Sequence, residues 1–133
     1  MTGRETELSA ANDRALRVRA LYEQLEQHLN GRTWTLHELM LGFGNDVGHI
    51  GRLLLAHDGT WTMSGNPTAE LEHKLAESVW WCFVLADRLG IDLGSAYAAT
   101  MTRIERDLEQ SVSRNLETAR PGGRSASSRS PAR

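Results

Sequence analysis

Three things are scarce in this chain: cysteine, lysine and long hydrophobic runs. Cys82 is the single cysteine among 133 residues and lies in an apolar helical run, so neither a disulfide framework nor a thiolate metal site can be built within one chain. That suits a reducing compartment, and a cytoplasmic location is expected. No run of roughly 18 apolar residues occurs, and the N-terminal MTGRETELSAANDR carries charge without an apolar segment, so neither membrane spanning nor export is indicated. Strand-like alternation and internal repeats are also missing. His37, His57 and His73 show no ligand spacing, and His28 sits near a helix end where a cation is favourable. These four histidines are expected to be structural or surface residues.

The net charge of −2 is unevenly spread. Arg120, Arg124, Arg129 and Arg133 fall in a closing stretch with no acid, which leaves about −6 on residues 1–119. An acidic body without a helix-turn-helix pattern argues against a nucleic-acid partner. The closing RPGGRSASSRSPAR has no large apolar residue and is expected to be a disordered tail over 119–133.

Helical periodicity fills the rest. A first helix is predicted over 9–30, with Val18, Leu21, Tyr22, Leu25 and Leu29 inward, Arg and Glu outward, and Asn30-Gly31 as its stop. Thr35-x-x-Glu38 has capping-box form and opens a second helix to His57, with a stripe of Leu36, Leu39, Met40, Phe43, Val47, Ile50 and Leu54. After Asp58-Gly59 and a loop containing Trp61, Asn66-Pro67 starts a third helix that carries Leu71, Leu75, Val79, Cys82, Leu85, Ala86 and Leu89 inward to Gly90. Asp92 caps a fourth, bearing Leu93, Tyr97, Met101, Ile104 and Leu108 at coiled-coil-like spacing. The expected organisation is a flexible 1–8, an all-α four-helix bundle over 9–118 completed by dimerisation, and the tail.

Two of these helices carry a polar track beside the stripe: Gly42, Asp46, His49 and Leu53 on the second, and Glu70, Lys74, Glu77, Trp81 and Arg88 on the third. Packed together, the tracks can face each other across a cleft. For Asp46 and His49 the plain reading is a hydrogen-bonded pair at the helix edge. Lys74, the only lysine, is either a surface residue or a tethered cation between Asp46 and Glu77. Trp80 and Trp81 point about 100° apart, so one of them is expected at a subunit interface, with base stacking the alternative for Trp81. Trp34 and Trp61 are expected as core or loop anchors. Gly42, Gly44 and Gly48 within one helix suggest close helix approach.

VWWCFVLADRLGIDLGSAY at 79–97 and DVGHI at 46–50 resemble the MazG-like all-α nucleoside triphosphate pyrophosphohydrolases. The first looks like that family's L-A-D-x-L-G-I-D-L turn and the second like its E-x-G-E-L phrase; the resemblance covers 32–108. It implies a metal site of the form Glu-Glu-x-x-Glu with Glu-x-x-Asp. Alignment on the glycine of DVGHI and on Leu85-Ala86-Asp87 places Asn45, Asp46, His49, Lys74 and Glu77 on those five acidic positions.

The resemblance thus implies cleavage of a nucleoside triphosphate to monophosphate and pyrophosphate, with an altered motif. Asp46, His49 and Glu77 would hold a divalent cation, Mg²⁺ or Mn²⁺, with His49 and Glu77 as catalytic groups. Lys74, Trp81, Arg103 and Arg106 would contact substrate, because the family's phosphate-binding Lys and Asn fall on Thr100 and Ile104. Dimers or dimers of dimers are implied. The alternative is a noncatalytic homodimeric member of the same fold that binds a nucleotide or a protein.

Overall fold

In a computed structural model, residues 3–119 are described. They form α1 (Gly3–Asn30), α2 (Leu36–His57), α3 (Pro67–Arg88) and α4 (Leu93–Ala119), with no strand among them. No helix is long and apolar enough to cross a membrane among the described residues. The expected disordered tail over 119–133 lies outside them apart from Ala119, which ends α4. α1 begins at Gly3, ahead of the Ser9 start expected for the first helix.

Local chemistry sets the remaining boundaries. The Thr35 hydroxyl accepts from the Glu38 amide, and the Glu38 carboxylate accepts from the Thr35 amide, closing the capping box. The Arg32 fork grips Glu38 from outside, and that hydrogen bond takes the Glu38 carboxyl down to about 2. Asn66 caps α3 through the Thr68 and Ala69 amides, ahead of Pro67 in the first turn. Asp92 receives the Ser95 amide at the start of α4. Gly31 and Gly90 close α1 and α3 with φ of 70° and 68°, a conformation glycine reaches without the Cβ penalty.

The described residues fall into two compact units that part between Ala96 and Tyr97. In the first, α2 and α3 pack along their length and α1 lies on α3. Leu39, Trp81 and Val84 form the centre, with Phe43, Trp80 and Leu85 against it. The second unit is the body of α4, where Tyr97, Ile104, Leu108, Val112 and Leu116 lie exposed along one stripe.

The facing of the helices overturns part of the expected core. On α2 the buried residues are Leu39, Asp46 and Leu53, whereas Met40, Val47 and Leu54 are exposed. On α3, Leu71, Trp81, Phe83, Val84 and Ala86 are buried while Leu75, Val79, Cys82 and Leu89 are open. α1 buries Ala15, Arg19 and Glu26 and leaves Val18, Leu21, Leu25 and Leu29 outside. The reason is a competing set of contacts: Trp81, Gly42 and Asp46 form a closer-fitting seam than the stripes do.

Candidate functional site

The two polar tracks meet. From α3, the Lys74 ammonium donates to Asp46 Oδ1 at 3.2 Å and to Glu77 Oε1 at 3.4 Å. The Trp81 indole N–H donates to the other Asp46 oxygen, Oδ2, at 2.8 Å. One carboxylate on α2 therefore holds two groups of α3, which stand two turns apart on it. Asp46 is 8% exposed, so these bonds replace most of the water it loses.

Gly42 makes the approach possible. A Cβ there would lie 2.7 and 2.9 Å from Trp81 ring atoms and 3.2 Å from the Trp34 ring, so only glycine admits the indole this close to α2. Trp80 meets Trp81 edge-on with centroids 4.8 Å apart, and Phe43 stacks at 6.5 Å. Trp81, expected at an interface or under a base, is buried in its own chain. Trp80 turns the other way, donates to the Ala15 carbonyl at 3.0 Å and packs against Tyr22. Trp61, expected as an anchor, has an exposed ring.

Burial alone would raise the Asp46 carboxyl, but the Trp81 and Lys74 hydrogen bonds and the Lys74 charge outweigh it and hold it below the usual range. Burial likewise opposes the Lys74 charge, yet Asp46 and Glu77 leave the ammonium above its ordinary value. Asp46 and Lys74 thus form an ion pair across the neutral range, with Lys74 as the central cation of the cluster.

His49 is directed elsewhere. Its Nε2 lies 3.7 Å from Glu70 Oε2, and His73 contacts Glu77 Oε1 on the oxygen that Lys74 also uses. His73 was expected to be independent of any site; its i, i+4 spacing to Glu77 was the available signal. Asn45 is exposed, and Arg103 and Arg106 are exposed on α4 in the second unit.

Asp46, His49 and Glu77 therefore do not fit a divalent cation in this arrangement. Asp46 has both oxygens engaged, Glu77 shares one oxygen between Lys74 and His73, and His49 turns to Glu70. No group of three His, Cys, Asp or Glu suited to a metal occurs among the described residues. The chemistry agrees: a doubly charged ion about 4 Å from the ammonium would meet on the order of 8 kcal/mol of repulsion at an effective dielectric near 20, before screening.

Comparison with protein-family models, with curated proteins and with solved structures gives no match.

A second ionic contact, missed on sequence because Arg and Glu on α1 read as a solvated face, fixes the α1–α2 loop. Arg19 grips Glu26 through both guanidinium nitrogens at 2.6 and 3.0 Å, and Glu26 Oε1 also accepts the Trp34 amide at 2.7 Å. Arg88 donates to the Trp34 carbonyl at 3.3 Å. Trp34 is so tied to α1 and α3 beside Gly42, which holds the rim of the Asp46 seam.

Proposed function

We propose that this chain is a MazG-like helical protein in which a tethered ammonium stands where that family holds its metal, and which has left nucleotide hydrolysis for binding. The observation that carries the reading is Lys74 between Asp46 and Glu77. A lysine at the centre of the carboxylates supplies the positive charge that a divalent ion would bring, but it cannot polarise a phosphoryl oxygen or lower the pKa of a bound water as a metal does. The remaining fold would serve as a homodimer, or a dimer of dimers, that recognises a nucleotide or a protein.

A broad panel of nucleoside triphosphates, incubated with the folded protein and Mg²⁺ or Mn²⁺ and assayed for pyrophosphate, tests this. No turnover is expected. Release of pyrophosphate with saturation kinetics, abolished by Asp46→Asn, would overturn the reading.

The second reading is a pyrophosphohydrolase with an altered site, favoured by one observation: Asp46 and Glu77 reach a single common cation from different helices, as two metal ligands would. In it Lys74 swings out on nucleotide binding, Asp46 and Glu77 take Mg²⁺ or Mn²⁺, and Arg103 or Arg106 neutralises phosphate charge. The double variant Lys74→Glu with His49→Glu separates the two readings. Metal affinity that rises well above the parent's supports the first; metal affinity already present in the parent supports the second.

A further inference from the structure

Along α4, Ile104, Leu108, Val112 and Leu116 follow one another every four residues and so share one row of the helix surface. They are 41, 59, 55 and 65% exposed, and Met101 and Tyr97, one and two turns before Ile104, continue the strip. The row one residue on is Glu105, Glu109, Ser113 and Glu117; on the other side run Arg103, Asp107, Ser111 and Asn115. Arg106 and Arg114 stand on the remaining row, opposite the apolar one. Three glutamates therefore border the strip, and the cations nearest them in sequence face elsewhere. Glutamates four apart repel each other along a helix, and among the described residues none of the three has an ion-pair partner.

We infer that α4 seats an amphipathic helix of a second protein, one whose own apolar strip is bordered by Lys and Arg. The six large side chains expose on the order of 600 Å² of apolar surface, close to the roughly 800 Å² that one partner contributes to a stable complex. Apolar area gives such a contact its strength, and the charges beside it choose the partner. Two copies of α4 do not answer the glutamates. Antiparallel, glutamate row meets glutamate row; parallel, it meets a row in which Arg103 and Asp107 cancel. The chain's own Arg120, Arg124, Arg129 and Arg133 carry the right charge, but that stretch has no large apolar residue with which to cover the strip. A basic-bordered helix supplies both.

This rests on the protein-binding side of the proposed function and names the partner's chemistry. The nucleotide assay reads Lys74 and the following test reads α4, so either can fail alone. Two labelled helical peptides as long as α4, each with leucine along one strip, one bordered by lysine and the other by glutamate, are titrated with the full chain by fluorescence anisotropy. The lysine-bordered peptide is expected to bind at least tenfold more tightly, with a preference that shrinks as salt is raised. Leu108→Asp should weaken that binding at least tenfold, and the triple variant Glu105→Lys, Glu109→Lys, Glu117→Lys should reverse the preference. The triple variant touches no apolar residue, so it keeps the question answerable if Leu108→Asp unwinds α4. Equal binding of the two peptides, or a preference that the triple variant leaves unchanged, would overturn the proposal. So would sedimentation of the full chain showing self-association that Leu108→Asp abolishes, which would give the strip to a second copy.

Discussion

On the inner face of α2, Asp46 and Gly42 stand among Leu39 and Leu53, and on its outer face Met40, Val47 and Leu54 stand beside three glycines. The inner face holds a charge and is buried; the outer face is apolar and open. The difference lies in directionality. Apolar burial is roughly proportional to area and accepts many partners, whereas the carboxylate that receives an indole N–H and an ammonium has one geometry. Within one chain the polar seam fixes which faces meet, and the apolar faces are left for contacts beyond it.

Substitutions sharpen that contrast. Trp81→Ala should have the largest effect: it removes the buried ring and one of the two groups on Asp46, at about 3–5 kcal/mol in chemical denaturation. Gly42→Ala follows, since its methyl would press on a ring that the Asp46 hydrogen bond holds in place; a loss of about 1–3 kcal/mol is expected. At Gly48 the same change meets open space and removes a poor helix former, so dilute monomer should gain up to about 1 kcal/mol. Equal losses at Gly42 and Gly48 would erase the distinction between the faces.

The pH dependence reports on the seam more gently. Asp46 is held below its unfolded value, so its share of stability is complete above about pH 4 and lost as pH falls through the folded value. Lys74 is held above its unfolded value, so its share is complete below about pH 10 and lost as pH rises through the folded value. Lys74→Met should therefore be less stable by about 1–2 kcal/mol near neutrality and show a shallower alkaline decline than the wild type. An alkaline limb identical in both proteins would show that the ammonium does not share in the fold.

Much of the helical framework was legible in the sequence because its signals are local. Thr35 and Glu38, Asn66 and Pro67, and Gly31 and Gly90 act within a turn of where they stand, and each marks the boundary they suggest. The polar tracks were legible too, since Gly42 and Asp46 on α2, and Lys74, Glu77 and Trp81 on α3, recur at helical spacing. What the periodicity could not supply was which stripe meets its own chain. Val47 and Leu53 are equally apolar on paper, and only the fit of Trp81 over Gly42 decides that Leu53 goes inward. The Arg19–Glu26 pair was hidden for the same reason: two charged residues on a helix read as solvated until Trp34 folds back onto them.

The account rests on a lysine in the position of a cation, and calorimetric titration of Mn²⁺ into the wild type and into Lys74→Glu tests that most directly. The expected result is no saturable heat with the wild type and a saturable, Asp46-dependent heat with the variant. Binding of Mn²⁺ to the wild type as tightly as to the variant, lost on Asp46→Asn, would contradict it.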